Sequence, residues 1–183
     1  MHRVAIVGAG PAGLYTAKYL LRGHPSLLID IYESLPMPFG LIRYGVAPDH
    51  PEVKGVTTEF LSTLGDPRVR FRGNVTVGKD ISVKKMKDYY NAICFSYGVS
   101  KDVPLELPGH ELHNVLSART FVNWYNGHPE QNNLKMDLTR SDTAVIIGMG
   151  NVALDCARML CSPLRRLEGT DITTTALSVL QHR

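Results

Sequence analysis

The sequence predicts an α/β fold with two Rossmann-like dinucleotide-binding domains, of which the second, and the end of the first, are incomplete in this chain. Three observations lead to this prediction. A glycine-rich turn between an apolar strand and a helix stands near residue 8, a second such turn follows about 140 residues later, and an acidic residue ends the strand after the first turn. One turn alone is a weak signal, but two in the same strand–turn–helix setting are specific.

The first turn is Gly8-Ala9-Gly10-Pro11-Ala12-Gly13, which has G-x-G-x-x-G spacing. The apolar run Val4–Val7 before it is typical of a buried parallel strand, and a helix is expected over Leu14–Leu21. In this motif the first glycine permits the tight turn, the second lets a pyrophosphate approach the backbone, and the third lets helix and strand pack closely. Because a helix N-terminus offers N–H groups and a positive dipole end, the turn predicts a pyrophosphate site.

The next predicted strand, Leu27–Tyr32, is followed directly by Glu33. This acid lies about twenty residues after the last glycine of the turn, where the ribose of a dinucleotide needs a hydrogen-bond acceptor. The alternative is a surface glutamate at a strand end with no ligand.

The segment Leu35–Pro51 is rich in proline and glycine yet apolar, which excludes a continuous helix or central strand. It predicts either the wall of a flavin pocket or a packed Ω-loop without ligand contact. The elements expected after it are a helix over Glu52–Leu64, strands at Val69–Arg72 and Asn74–Val77, a helix from Ser82 to about Tyr90, a strand at Ala92–Tyr97, a crossover at Val99–Gly109 and a short helix capped near Ser117.

The second turn is Gly148-Met149-Gly150-Asn151-Val152-Ala153, a G-x-G-x-x-A variant that the fingerprint allows. An apolar strand is expected before it at Thr143–Ile147 and a helix after it over Leu154–Leu160. No second strand of this domain is visible, so we expect the chain to be a fragment of a longer protein.

Composition limits the function classes. A hydrophobic fraction of 44% and a charged fraction of 20% argue against disorder and against a membrane span, and a net charge of +3 is too small to indicate nucleic-acid binding. Cys94, Cys156 and Cys161 form an odd set without C-x-x-C spacing, which argues against a disulfide framework and against a metal site, and fits a reducing compartment. The first strand begins so early that no targeting peptide is visible.

Several motifs together resemble one family, the adrenodoxin reductases, which are mitochondrial-type NADPH–ferredoxin reductases. The resemblance covers essentially the whole chain, and its most specific part is the loop Pro38–Lys54. The other matching stretches are Val7–Gly13, Asp30–Glu33, Ser117–Arg119, Trp124–Gly127, Gly150–Asp155 and Thr170–Thr173.

The resemblance implies a flavoprotein that passes electrons from NADPH through FAD to a ferredoxin or adrenodoxin-type [2Fe-2S] protein, located on the matrix side of mitochondria. It implies an FAD-binding domain over residues 1–107, with Glu33 on the ribose, and the beginning of an NADP-binding domain over residues 108–183. Further cofactor-binding positions implied for FAD are Gly40, Leu41, Val46 and Gly98, and those implied for NADP(H) are Gly148, Gly150, Asn151 and Val152. The matching catalytic positions are His50 and Asp155, which would otherwise be interpreted as an exposed loop histidine and a first-turn helix acid.

Alternatives to this function stay open, because the sequence departs from the family's pattern and because other classes of flavoprotein share the two turns. The chain lacks the basic residues that hold the 2′-phosphate in the family and most of the basic docking surface, so it could be a non-catalytic nucleotide-binding fragment. A dithiol flavoprotein such as thioredoxin or lipoamide reductase needs a redox-active cysteine pair, and Cys156 and Cys161 lie after the second turn instead of beside the first. The small subunit of glutamate synthase has an N-terminal iron–sulfur cysteine cluster that this sequence lacks.

Overall fold

The computed structural model describes residues 2–182. It divides into two compact units, the first formed by Met1–Arg43 and Glu52–Ser100 and the second by Tyr44–Pro51 and Lys101–Arg183. The segment Tyr44–Pro51 therefore belongs to the second unit, although it lies within the sequence of the first. The boundary expected at residues 107 and 108 concerns which cofactor each domain binds, and it stays a prediction.

The first unit is built on a four-stranded parallel sheet. Its strands are β1 (Arg3–Val7), β2 (Leu28–Tyr32), β3 (Val69–Arg72) and β4 (Ala92–Phe95). Their order is β3-β2-β1-β4, and Val4 of the central strand pairs with Ile29 on one side and Ala92 on the other. Parallel strands require crossover connections, which the intervening helices supply. The predicted α/β architecture is confirmed.

Helices and apolar side chains cover both faces of this sheet. The helices in this part of the sequence are α1 (Pro11–Gly23), α2 (Leu41–Tyr44), α3 (Pro51–Lys54), α4 (Thr57–Leu64) and α5 (Val83–Met86). Val4 and Ile6 of β1 point into the core that contains Leu14 of α1, whereas Ala5 and Val7 point to the opposite face. Alternate residues of a strand face opposite sides, so a strand buried on both faces reads as a continuous apolar run.

Two predicted elements of this unit are wrong, and the helix expected from Ser82 to about Tyr90 already ends at Met86. The single helix expected over Glu52–Leu64 is interrupted after Lys54, whose carbonyl accepts a 2.7 Å hydrogen bond from the Thr57 hydroxyl. Such a local side-chain bond competes with the backbone ladder of a helix. The strand expected at Asn74–Val77 is absent because Asn74 has φ +57° and its N–H donates to the carbonyl of Leu35 in the loop after β2.

The second unit is helical. Its helices are α6 (Ala118–Tyr125), α7 (Asn151–Cys161) and α8 (Thr174–Leu180), with short 3-10 helices at Pro129–Gln131 and Leu164–Arg166. The predicted cap of α6 is confirmed, since the Ser117 hydroxyl accepts a 3.1 Å hydrogen bond from Thr120 N–H. The core lies between the three helices and includes Ala47, Phe121, Val122, Trp124, Tyr125, Cys156, Met159, Leu167, Ile172, Ala176 and Leu180.

The strand predicted at Thr143–Ile147 is also absent. The described part of this unit contains no β-strand, and Val145 and Ile147 are 84% and 70% exposed. Apolar periodicity predicts a preference for extended backbone, but a strand exists only when a neighbour pairs with its N–H and C=O groups. Among the described residues of the second unit, no such neighbour is present.

Candidate functional site

The first glycine-rich turn has the geometry that its sequence predicts. Gly8 follows β1 with φ +106°, and its N–H donates to the carbonyl of Tyr32 at 2.7 Å. A Cβ on Gly8 would lie 2.5 Å from the carbonyl oxygen of Ser96, beyond the end of β4. Positive φ and close backbone contact together require glycine at this position.

The turn continues into the N-terminus of α1. Gly10 is the N-cap residue and offers no side chain to the helix, and Pro11 occupies the first helical position. The N–H groups of Ala12 and Gly13 therefore lie in the first turn, where no intrahelical carbonyl is available to them. No described atom outside the immediate chain neighbours lies within 4 Å of a Cβ built on Gly10, so the surface above this residue is open. These features fit an anion such as a pyrophosphate.

Gly13 meets a different requirement. A Cβ at this position would overlap the carbonyl oxygen of Gly8 and lie 2.8 Å from the Ser96 hydroxyl oxygen. The third glycine thus lets α1 pack directly against the end of β1, as the motif predicts.

The Glu33 carboxylate is held at the same turn. Its Oε2 accepts a 2.8 Å hydrogen bond from Ala9 N–H, and its Oε1 accepts bonds of 3.0 and 3.1 Å from the Ser34 hydroxyl and Leu35 N–H. A carboxylate offers about four acceptor positions, so Oε2 retains capacity for one more donor. The side chain can therefore accept a ribose hydroxyl without rearranging.

Part of the proline-rich segment also lies against the turn. The N–H of Phe39, which has φ +90°, donates to the carbonyl of Ala9 at 2.8 Å. A Cβ on Gly40 would lie 3.0 Å from Gly10 Cα, so Gly40 and the second glycine of the motif are in close contact. Of the other positions that the resemblance implies for FAD, Leu41 is 69% exposed and Gly98 is an exposed residue with φ +69° after β4.

Val46 is half-buried and belongs to the second unit, in the segment Tyr44–Pro51. The resemblance implies a contact of Val46 with FAD, and that contact stays a prediction.

The second glycine-rich turn has similar backbone features but lies open to solvent. Gly148 has φ +136°, Gly150 is the N-cap residue of α7, and Asn151 and Val152 open that helix. A Cβ on Gly148 would lie 3.7 Å from the Cβ of Ala153, which is ordinary van der Waals contact. As in the first turn, N–H groups without an intrahelical acceptor and the positive end of the dipole favour an anion here.

The two positions predicted to be catalytic lie in one cluster of charged side chains. Asp155 is the fifth residue of α7, and its Oδ1 lies 2.9 Å from Nη2 of Arg158. The same guanidinium donates from Nε and Nη2 to the two carboxylate oxygens of Asp49, at 2.8 and 2.9 Å. His50 is next in sequence, with Nε2 4.0 Å from Asp49 Oδ1. The interpretation of Asp155 as a first-turn acid is therefore wrong, because its partner is Arg158 and it lies beyond the first turn.

This cluster shifts the pKa values of several groups. The hydrogen bond from Arg158 lowers the pKa of Asp49, and the same bond is the largest cause of the raised pKa of Arg158. Burial raises the pKa of the Tyr125 hydroxyl and of the Cys156 thiol, and the nearby carboxylate of Asp155 adds to both effects. Tyr125 is fully buried, and its hydroxyl has no hydrogen-bond partner among the described residues.

Sequence reasoning missed Arg158. Its spacing to Asp155 is that of a common helix-surface ion pair, and nothing local indicates a partner 109 positions earlier. An acid in an apolar loop and an arginine on a helix make Asp49 and Arg158 one candidate pair, but the sequence has no signal that selects this pair over others.

The cysteines do not form a redox pair. Cys94, Cys156 and Cys161 are all free, with Cys156 buried and Cys161 exposed. Five helical residues rotate a side chain by about 140° beyond one full turn, so Cys156 and Cys161 point away from each other. Residues 2–182 contain no cluster of three metal-ligating side chains, and none of their helices has the length and apolar character needed to cross a bilayer.

Comparisons with known proteins agree with this geometry. Residues 2–174 match the pyridine nucleotide-disulphide oxidoreductase family. The chain is 55% identical to NADPH:adrenodoxin oxidoreductase, mitochondrial, of Rattus norvegicus, over 98% of this chain but 36% of the relative. A mutant of FprA from Mycobacterium tuberculosis superposes with a TM-score of 0.95, and FprA in complex with NADPH with 0.94. Both FprA structures are 40% identical over 98% of this chain and 41% of theirs. The resemblance to adrenodoxin reductases is confirmed.

Proposed function

This chain belongs to the pyridine nucleotide-disulphide oxidoreductase family, and from that premise we propose that it is part of a flavoprotein that passes electrons from NADPH through FAD to a small iron–sulfur protein. The chain spans little more than a third of the curated relatives it matches, so the activity proposed is that of the whole protein.

The observation that carries the proposal is the fixed carboxylate at the first turn. Glu33 is held by the N–H groups of Ala9 and Leu35 and keeps one acceptor position open beside the helix N-terminus. An anion site and a ribose acceptor on adjacent strands are what an adenine dinucleotide requires. We assign Gly8, Gly10 and Glu33 to this nucleotide, which we take to be FAD.

The second turn supports a second nucleotide site. Gly148 and Gly150 shape the turn, and the N–H groups of Asn151 and Val152 would bind the pyrophosphate of NADP(H). The adrenodoxin oxidoreductase relatives carry NADPH in their names, and one of the similar FprA structures is a complex with NADPH. On this assignment residues 1–107 form the FAD-binding part, and residues 108–183 begin the NADP-binding part.

When bound, FAD supplies chemistry that side chains lack, since it takes a hydride (two electrons and a proton) from NADPH and releases the electrons singly to two one-electron acceptors. The acceptor proposed here is an adrenodoxin-type [2Fe-2S] protein, because the relatives are named for adrenodoxin. Those names also support a mitochondrial location. His50 and Asp155 are proposed as polar groups that would lie near the flavin and the nicotinamide.

A ferredoxin-linked assay tests this function. The whole protein, purified in the form that the cell produces, is mixed with NADPH, a [2Fe-2S] ferredoxin and cytochrome c. We expect cytochrome c reduction that requires all three components. Reduction at the same rate without ferredoxin, or with an engineered protein that binds no FAD, would contradict the proposal.

The dithiol alternative makes a separable prediction. A dithiol reductase would lose activity when Cys156 is replaced by serine, because the thiol would take part in electron transfer. We expect the ferredoxin-linked rate of Cys156→Ser to stay within about twofold of the wild-type rate once folding is matched.

A further inference from the structure

One guanidinium connects two distant parts of the second unit. Arg158 of α7 makes two parallel hydrogen bonds to Asp49 and an ion pair with Asp155, all between 2.8 and 2.9 Å. Bidentate arginine–carboxylate pairs have a fixed planar geometry that a lysine cannot reproduce. The side chain therefore defines both the position and the rotation of the Asp49 carboxylate.

Fixing Asp49 also fixes its neighbour. Asp49 and His50 belong to a short segment, in which His50 N–H donates to the carbonyl of Ala47 at 3.0 Å. Ala47 is fully buried in the helical core. Because the segment is anchored by Ala47 on one side and by the ion pair on the other, the backbone of His50 has little freedom.

Arg158 offsets part of the negative charge of the cluster. Two carboxylates, those of Asp49 and Asp155, share one guanidinium, and removing it would leave two negative charges together. The other titratable groups facing them are His50 in the same segment, Tyr125 on α6 and Cys156 on α7. Asp49 and Asp155 are only 22% and 19% exposed, so water screens their repulsion incompletely.

We propose that Arg158 is a positioning residue, which holds Asp155 and the segment that carries His50 in the arrangement needed for NADPH to reduce the flavin. The inference rests on the proposed function and on the roles given there to His50 and Asp155. It assigns Arg158 no contact with the reacting atoms.

A purely structural ion pair makes a different prediction. Loss of an ion pair that only connects a loop to a helix lowers the stability and the cofactor content of the protein. The enzyme that remains folded then reacts at the normal rate. Loss of a positioning residue slows the reaction in folded, fully loaded enzyme, because small misplacements of reacting groups have large effects on rate.

The test measures flavin reduction by rapid mixing with NADPH, in the FAD-loaded protein as the cell makes it, without oxygen. The variants are Arg158→Met, which removes the charge, and Arg158→Lys, which keeps the charge but loses the bidentate geometry. Arg165→Met is the matched control, since Arg165 is an exposed residue of the 3-10 helix Leu164–Arg166. The readouts are the limiting rate, its pH profile, the NADPH concentration for half-maximal rate, and the FAD content.

We expect Arg158→Met to lower the limiting rate about 10- to 100-fold at unchanged FAD content, with Arg158→Lys intermediate and Arg165→Met like wild type. A limiting rate of Arg158→Met within twofold of wild type would overturn the inference. If Arg158→Met fails to fold, Arg158→Lys decides, and a wild-type limiting rate and pH profile for that variant would likewise overturn it. A wild-type flavin that NADPH does not reduce would refute the proposed function, and the inference with it.

Discussion

Replacing Gly10 by alanine should weaken FAD binding strongly while leaving the fold intact. The added Cβ meets no described atom within 4 Å, so the substitution creates no clash within the protein. The methyl group would instead occupy the space through which a pyrophosphate approaches the N–H groups of Ala12 and Gly13. Two charge-assisted hydrogen bonds contribute about 3–6 kcal/mol together. Since about 1.4 kcal/mol is tenfold in affinity, the dissociation constant of FAD should rise about 100- to 10,000-fold.

The assay is titration of apoprotein with FAD, followed by quenching of flavin fluorescence, alongside thermal unfolding without FAD. At an N-cap, alanine is less favourable than glycine, so the apoprotein should lose no more than about 1 kcal/mol. Gly23→Ala is the matched control, because Gly23 also has open space around it but lies at the far end of α1. It should bind FAD normally. Wild-type FAD affinity in Gly10→Ala would refute the assignment of the first turn.

Three further predictions follow from other contacts. Gly13→Ala should destabilise the protein by about 1–3 kcal/mol even without FAD, because its Cβ overlaps the rigid backbone of Gly8, and an unchanged unfolding midpoint would contradict the packing. Tyr125→Phe should raise the free energy of unfolding by about 1 kcal/mol, since it removes a buried hydroxyl without a partner among the described residues; calorimetry showing a loss instead would mean that the hydroxyl is satisfied. Asp49→Asn should cost about 1–3 kcal/mol at neutral pH, where the bond from Arg158 favours the ionised form. Because folding lowers the pKa of Asp49, the stability difference between wild type and Asp49→Asn should be fully present above the ordinary pKa of aspartate. It should disappear as the pH falls through the lowered pKa of the folded state, and a difference that stays constant across that range would contradict the prediction.

The first turn could be predicted from sequence because its determinants are local. Gly8, Gly10 and Gly13 stand within six positions. Gly8 is required by its positive φ and Gly13 by its close contact with the Gly8 carbonyl, both within the same strand–turn–helix unit. The cap at Ser117 was predictable for the same reason. The two central strands, β1 and β2, were predictable because each is an apolar run buried in the parallel sheet.

The sequence-based predictions that failed depend on partners distant in sequence or on local side-chain hydrogen bonds that compete with the backbone hydrogen bonds of a helix. Thr143–Ile147 has the apolar pattern of a strand but no hydrogen-bonded neighbour among residues 101–182. The helix expected over Glu52–Leu64 is interrupted between Lys54 and Thr57, where the Thr57 hydroxyl donates to the Lys54 carbonyl, and apolar periodicity carries no signal of that bond. Arg158 pairs with Asp49 across 109 positions, and a single sequence holds no record of that contact.

The most direct test of the central claim is the visible spectrum of the purified, FAD-loaded protein before and after NADPH is added without oxygen. A flavoprotein reductase predicts two visible flavin bands that bleach on addition of NADPH, with Gly10→Ala colourless after the same loading. A protein that binds no FAD, or a bound flavin whose spectrum NADPH leaves unchanged, would contradict the account.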